Sequence, residues 1–434
     1  MFGTSGIRGT ANDEVTAELA LHVGNACGSR YDSIVVGHDP RTSSQMLHSA
    51  ITAGALAAGA SVTDVGLVST PTLAYAAWEH DIGVMITASH NPPEYNGIKL
   101  FNPDGAGFSI EQSDEIETVM QQQCRAAWND IKNVQMSYSA IEEHMAAILD
   151  AVPPVERPFK VVVDCGCGAT GTITPYLLQK LGCQVVALNA QPDGFFPAHA
   201  PEPVPENLDE LMQLVAASDA DLGLAHDCDG DRVVAVTSEG TYVPNDRLLA
   251  LLARHLCPAG RIAVPVDTSL VVDAVLPDAS ITRTRVGDIY ISAELKKRDG
   301  DFGGEPSGTF VFPSFSYCPD GVYAAAVITS LAAEMSLEDE LASMPDYELR
   351  RGAVSSTRDK ITAGMPEIER EMADLDFADL TTIDGIRIAR DDRWALVRPS
   401  GTEPKVRVTV EASRQEHADE LYEQLMTLVR RCLT

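Results

Sequence analysis

The chain has 434 residues, 45% of them hydrophobic, and a formal net charge of −31. That length exceeds what one core organises and points to three or four globular domains. The charge would be repelled by nucleic-acid phosphates, and no apolar run is long enough to span a bilayer, so neither partner is expected.

At the N-terminus, "MFGTSGIRGT" lacks a basic region followed by an apolar block, so no signal peptide is expected. Residues 33–37, "SIVVG", predict a strand, and 43–59, "SSQMLHSAITAGALAAG", a helix of small residues. "SVTDVG" (61–66) and "DIGVMITAS" (81–89) predict strands with a helix between them, and 111–128 an acidic helix. "AVPPVERPF" (151–159) reads as a proline-rich joint. A second unit then runs "FKVVVDCG", the helix "ITPYLLQKLG", and the strands "CQVVALNA" and "DLGLA". After the turn cluster "SEGTYVPND" (238–246), a third unit repeats the pattern: "GRIAVPV", a helix near 269–276, "SITRTRV", a helix near 288–297, and "DFGGE". Two helices, "GVYAAAVITSLAAEM" and "LEDELASM", close it.

Strands alternating with helices predict α/β units with parallel sheets covered on both faces. Beyond about residue 345 the pattern changes to period two in "DGIRIAR", "RWALVRPS" and "KVRVTVEAS", followed by one amphipathic helix. That predicts a smaller α+β unit with an antiparallel sheet. The expected units are residues 1–137, 138–240, 241–344 and 345–434.

The nine cysteines are scattered and odd in number, which suits reduced thiols in a cytoplasm. Cys165 and Cys167 stand too close for the usual zinc spacing and read as small buried residues. The acids are spread through the chain, with 8 lysines beside 24 arginines. A solvated acidic surface of the kind seen in salt-loving cytoplasms fits that spread.

Four short stretches carry chemistry. In "AHDCDGDRVV", Asp227, Asp229 and Asp231 recur every second residue after a strand. Such carboxylates repel one another unless a cation lies between them, and hard oxygen donors select Mg²⁺, Mn²⁺ or Ca²⁺. The stretch is no EF-hand, because loop positions six and twelve hold Arg232 and Ser238. Phosphatases of the haloacid-dehalogenase type use a D-x-D pair, usually on an early strand and without the third acid. A solvated acidic turn is the plainer alternative.

In "MITASHNPPEYNGIKLF" (85–101), Ser89 ends an apolar run. No G-x-S-x-G elbow is present, and His90 is too near in sequence to be an obvious base. A phosphoryl group on Ser89 would complete the metal site, with Lys99 and Arg8 neutralising its charge; a strand-end cap is the alternative. In "RPSGTEPKVR", Arg398, Ser400, Gly401 and Thr402 can form a phosphate cradle or a plain turn. In "GGEPSGTF", Glu305 and Ser307 offer an acceptor and a hydroxyl suited to sugar hydroxyls.

In this order, "GTSGIRG", "TASHNPPEYNGIK", "DCDGDR", "GGEPSG" and "RPSGTEP" resemble the signatures of the α-D-phosphohexomutases over essentially the whole chain. The resemblance implies four domains around one cleft, three of them related mixed-sheet α/β units and the last α+β. It implies that Ser89 is the phosphoserine donor and that Ser89, Asp227, Asp229 and Asp231 hold Mg²⁺. Arg8, Lys99 and Arg232 would steady the transferring phosphoryl group, Glu305 and Ser307 the sugar ring, and Arg398, Ser400, Gly401 and Thr402 the non-reacting phosphate. The substrate would be a sugar phosphate that passes through a 1,6-bisphosphate, on a cytoplasmic monomer or homodimer.

"RTRVGDIYIS" (283–292) and the direct start at "MFGTSGIRG" resemble the phosphoglucosamine mutase branch. Phosphomannomutase or phosphoglucomutase activity is the alternative; a metal-dependent phosphatase or a sugar-phosphate sensor is the alternative of another class. Thr309 stands where members often carry a histidine, and Arg285 and Asp288 are neighbours of the sugar loop by pattern only.

Overall fold

The computed structural model describes residues 1–400 and 403–433. Its first three sheets share one plan. A strand is flanked on one side by the next strand and on the other by the third, both parallel to it; a hairpin then adds a fourth, antiparallel strand. In the second sheet these are Lys160–Asp164, Gln184–Leu188, Leu222–His226 and Val233–Thr237. In the third they are Arg261–Pro265, Ser280–Thr284, Phe302–Glu305 and Thr309–Val311. In the first they are Ser33–His38, Ser61–Leu67, Ile82–Ile86 and Tyr95–Phe101. That sheet gains Ile7–Thr10 beyond the antiparallel strand and Val134–Met136 at the other edge.

Helices cover these sheets, so central strands such as Ile82–Ile86 and Leu222–His226 are buried along their length and read as unbroken apolar runs. The small-residue helix forms as Ser44–Ala58 and packs tightly on Ala17–Arg30. A Cβ on Gly24 would collide with the Ile51 carbonyl oxygen, and one on Gly54 with that of Leu21. This close approach is why the sequence alternates alanine and glycine there.

The consequence for function is positional. In each unit the hairpin between the third and fourth strands leaves the C-terminal end of a parallel strand, the end where α/β sheets bind ligands. Those three hairpins carry Ser89, the aspartate cluster and Ser307.

The fourth sheet is antiparallel, in the order Glu348–Ser355, Lys405–Ala412, Arg393–Pro399, Ile386–Arg390, Asp379–Thr381. Val397, Val406, Val408 and Val410 pack with Leu421, Leu425 and Val429 of helix Gln415–Cys432. Period two then puts Leu396, Arg398, Arg407, Thr409 and Arg351 on the opposite face, in two cross-strand rows.

Some elements differ from the sequence expectation. The acidic helix spans Ile110–Met120 rather than 111–128. Gln121, Gln122 and Gln123 are exposed and extend no apolar stripe, and beyond them the Ala126 N–H bonds the Ala57 carbonyl. The helices near 269–276 and 288–297 are Val271–Val275 and Asp288–Arg298. Strands Ile7–Thr10 and Tyr95–Phe101 and helices Ala140–Ala151 and Arg358–Ala373 lacked a clear local signal; the last contains Pro366. Among the described residues no helix is long and apolar enough to cross a membrane.

Buried polar contacts tie the first three units together. His144 Nε2 lies 3.0 Å from Asp320 Oδ2, and His144 Nδ1 lies 3.0 Å from Thr72 Oγ1. Asp320 also caps the helix Gly321–Glu334 by accepting from the Tyr323 N–H.

Candidate active site

The serine loop, residues 87–94, is held from beneath by one side chain. Arg41 is buried, and its guanidinium donates to the carbonyl oxygens of Ser89 (2.6 Å), Asn91 (2.7 Å), Pro92 (2.6 Å) and Tyr95 (2.9 Å). Arg41 Nε donates to Asp39 Oδ2 at 3.0 Å, and Thr87 Oγ1 donates to the same oxygen at 2.7 Å. The Phe196 ring covers the guanidinium at 5.1 Å. These contacts hold Ser89 at φ 51, a left-handed conformation that a non-glycine residue adopts only when its surroundings impose it. Asp39 and Arg41 were not among the residues singled out from sequence. The signal was a D-x-R pair, "HDPR", directly after a buried strand.

Ser89 Oγ donates to Asp227 Oδ2 at 2.6 Å, bringing the serine to the aspartate hairpin across 138 positions. Asp227 and Asp229 are fully buried, and the three carboxylates offer oxygens within 4.8 Å of one another. The hairpin turns at Gly230, at φ 76, where a Cβ would collide with the Thr170 methyl. Asp229 is fixed by Thr70, whose Oγ1 donates to Oδ2 at 2.6 Å. Lys99 Nζ donates to Asp229 Oδ2 at 2.7 Å and to Asp231 Oδ2 at 2.6 Å.

The charge state follows from these contacts. Burial, then repulsion from Asp231 and Asp229, pushes the Asp227 carboxyl well above the ordinary range. Burial would raise Asp229 too, but Lys99 outweighs it and Asp229 ends low. Burial would lower Lys99, and the two acids outweigh it in turn and hold the ammonium above its usual value. Asp229 Oδ1 and Asp231 Oδ1 are buried with no hydrogen-bond partner. Three carboxylates with two such oxygens beside a hydroxyl fit a hard divalent cation.

Two further cations converge here. Arg8, on Ile7–Thr10, donates from Nη1 to Asn91 Oδ1 at 3.2 Å, while its buried Nε has no partner; burial lowers its pKa. The Arg232 N–H donates to Asp227 Oδ1 at 3.2 Å, and its side chain lies 3.9 Å from Glu202. His90 Nδ1 is 3.3 Å from Ser89 Oγ, but burial, with Arg232 and Arg8 nearby, depresses its pKa to about 2. A ring that stays neutral at so low a pH is a poor general base.

The loop that carries Glu305 and Ser307 adjoins this cluster, since Arg232 bridges to Thr309 across the backbones of the second and third units. Glu305 Oε1 accepts the Gly287 N–H at 2.7 Å, and Oε2 accepts from Ser307 Oγ at 3.3 Å. Ser307 Oγ is also 2.9 Å from Thr309 Oγ1, so the threonine orients the serine. Burial, then Asp288, raises the Glu305 carboxyl to about 7. Asp288 is itself raised by burial, with Lys99 opposing. The Arg285 guanidinium lies over the Tyr290 ring at 4.9 Å.

Arg398 lies apart from the aspartates. Its Nε donates to Asp384 Oδ1 at 3.0 Å, and Asp384 Oδ2 accepts the Val286 N–H of the third unit at 3.0 Å. Arg398 and Ser400 line a cavity of about 360 Å³ with Thr4, Arg285, Asp384 and Arg407. Gly401 and Thr402 lie outside the described residues. Arg407 was not singled out from sequence; it follows from the register, directly opposite Arg398.

Models of the phosphoglucomutase/phosphomannomutase family match in sequence order: α/β/α domain I over residues 1–126, domain II over 141–240, domain III over 244–347 and the C-terminal domain over 354–428. The chain belongs to the phosphoglucomutase/phosphomannomutase family. It is therefore a phosphohexomutase, an isomerase, with the four-domain architecture expected from its motifs. A probable phosphoglucosamine mutase of Methanocella arvoryzae is 49% identical over 440 residues, covering 100% of this chain and 98% of that one. Another, of Methanosarcina acetivorans, is 49% identical over 437 residues, covering 100% and 99%. A phosphoglucomutase/phosphomannomutase family protein of Burkholderia thailandensis superposes with a TM-score of 0.88 at 27% identity, covering 100% of this chain and 98% of that one.

Proposed function

We propose that the protein interconverts glucosamine 6-phosphate and glucosamine 1-phosphate through a phosphoserine at Ser89 and a 1,6-bisphosphate. The observation that carries phosphoryl transfer is the 2.6 Å contact of Ser89 Oγ with Asp227, inside a carboxylate cluster that has two unpartnered oxygens. The glucosamine assignment is supported by the relatives that are 49% identical, both called probable phosphoglucosamine mutase.

In this reading residues 1–137 supply the serine loop, 138–240 the metal loop, 241–344 the sugar loop and 345–434 the phosphate loop. Asp227, Asp229, Asp231 and the oxygen on Ser89 would hold Mg²⁺, which would supply positive charge to offset that of the transferring group. Arg8, Lys99 and Arg232 contribute the remaining charge. A sugar hydroxyl attacks phosphorus; the new P–O bond forms as the P–Oγ bond breaks, its electron pair leaves on Ser89 Oγ, and the proton lost by the sugar hydroxyl restores the serine hydroxyl.

The bisphosphate then turns end for end, and its other phosphoryl group returns to Ser89. Glu305 and Ser307 hold the sugar hydroxyls, while Arg398, Ser400, Gly401 and Thr402 grip the phosphate that is not reacting. The product would feed amino-sugar nucleotide synthesis in a cytoplasm, and the charge of −31 suits a salty one.

Turnover of glucosamine, mannose and glucose phosphates, measured with Mg²⁺ and a bisphosphate primer, tests the reading. Preference for glucosamine phosphates is the expected result. Preference for mannose or glucose phosphates would move the substrate. Release of inorganic phosphate would make the enzyme a phosphatase, and binding without turnover a sensor.

A further inference from the structure

Among the described residues, three carboxylates have a buried oxygen with no hydrogen-bond partner: Asp229, Asp231 and Asp267. The first two share the serine site. Asp267 does not. It follows strand Arg261–Pro265 and lines a cleft of about 440 Å³ with Arg351, Arg398, Lys405 and Arg407. This cleft and the cavity at Ser400 share Arg398 and Arg407, so both lobes open onto one pair of guanidiniums.

Four cations suit the phosphate that the distal site must grip. A lone acid among them does not, and an unpaired buried carboxylate oxygen is costly. Neighbouring acids are already engaged. Asp384 accepts from Arg398 and from the Val286 N–H, and Glu305 from the Gly287 N–H and Ser307. Asp246 accepts the Ser269 N–H. Asp267 joins neither group of residues able to hold a metal among the described ones. Arg398 and Arg351 attract the carboxylate, but no donor reaches that oxygen, which leaves it open to a cation that arrives with the phosphate.

Such a cation is built into the proposed substrate. A glucosamine phosphate carries its ammonium on C2, next to C1. When the C1 phosphate is the one gripped by Arg398 and Arg407, the ammonium lies within a few bonds of it. We infer that the Asp267 carboxylate receives the 2-ammonium group and so selects glucosamine phosphates over sugars with a hydroxyl at that carbon. The inference rests on the glucosamine reading above. A charge-assisted bond to an ammonium is worth more than one to a neutral hydroxyl, and that difference is the basis of selection.

The test is calorimetric binding of glucosamine 1-phosphate and glucose 1-phosphate, with Mg²⁺, to full-length Ser89→Ala protein, which binds without turning over. Adding Asp267→Asn should weaken glucosamine 1-phosphate about tenfold to a hundredfold and glucose 1-phosphate less than about threefold. Asp267→Glu should restore part of the preference, and retained glucose 1-phosphate binding shows that the fold is intact. Equal loss for both ligands, or no loss for either, overturns the inference. If the protein with Asp267 intact fails to prefer glucosamine 1-phosphate, the glucosamine reading itself fails. If it shows the preference and Asp267→Asn keeps it, only the role of Asp267 falls.

Discussion

Around Ser89 three units are strapped together by buried polar contacts, whereas at Arg398 the fourth unit faces the third across open clefts. At the serine end, Arg41 holds four carbonyls, Thr70 holds Asp229, and His144 links Thr72 to Asp320. At the distal end the third and fourth units meet through one small apolar cluster, Val266 and Leu270 against Trp394 and Leu396, and a few hydrogen bonds to backbone groups. Glu411, held by Trp394 Nε1 of its own unit, accepts from the Leu270 N–H at 2.8 Å, and Arg387 Nε donates to the Val266 carbonyl at 2.9 Å. Clefts of about 360 and 440 Å³ lie beside them. The difference fits the proposed chemistry. Phosphoryl transfer rewards fixed geometry at the reacting atoms, while a bisphosphate that must turn needs room at its far end.

The contrast breaks most visibly if the serine end is loosened or its charges are removed. Asp227→Asn should cut kcat by about 10³-fold, the scale of losing a main electrostatic stabiliser. Its effect on stability should have the opposite sign. The folded pKa of Asp227 is raised, so the ionised carboxylate costs stability at every pH above its unfolded value. Asparagine removes that cost, and thermal unfolding without metal at pH 7 should occur no lower than in wild type. A large drop would mean that the acids hold the fold together rather than strain it.

Arg41→Ala should do the reverse and destabilise by about 3–5 kcal/mol, the scale for breaking a buried ion pair. Arg41→Lys, which keeps the charge but not the fork, should still lose about tenfold to a hundredfold in kcat. Denaturant titration and steady-state kinetics read both. Full activity in Arg41→Lys would separate the cradle from catalysis.

At the open end the effects should be smaller and of another kind. Arg407→Ala should raise KM about tenfold, as for one charge-assisted phosphate contact, leaving stability within about 0.5 kcal/mol. A fall in kcat with KM unchanged would place Arg407 with the reacting phosphoryl instead. The smallest effect concerns Glu305, whose carboxyl is raised by burial to about 7 and which, in the role proposed for it, accepts sugar hydroxyls more strongly when ionised. In wild type kcat/KM should rise severalfold as pH passes 7 and then level off. Glu305→Gln should lose that limb, and a parallel profile in the two proteins would assign it to the substrate phosphate.

Much of this was legible in the sequence because it is local. "DCDGDR" and "TASHNPPEYNGIK" name the serine and its acids, and the apolar runs name the central strands. What escaped depends on distant partners. Ile7–Thr10 is a strand only because it pairs with Tyr95–Phe101, and its glycines read as loop. Arg41 precedes the carbonyls it holds by 48 to 54 positions, and Arg407 is set opposite Arg398 only by strand register. The equivalence of the three hairpins was hidden for the same reason: strand order repeats where residues do not.

The central claim is that Ser89 carries the phosphoryl group that the sugar receives. Intact-mass measurement of purified protein, before and after glucosamine 6-phosphate is added with Mg²⁺, tests it directly. The account predicts about 80 Da of extra mass, absent from Ser89→Ala, whose population falls when the added sugar phosphate takes the phosphoryl group. Full turnover by Ser89→Ala, or extra mass on another residue that passes to the sugar, would contradict it.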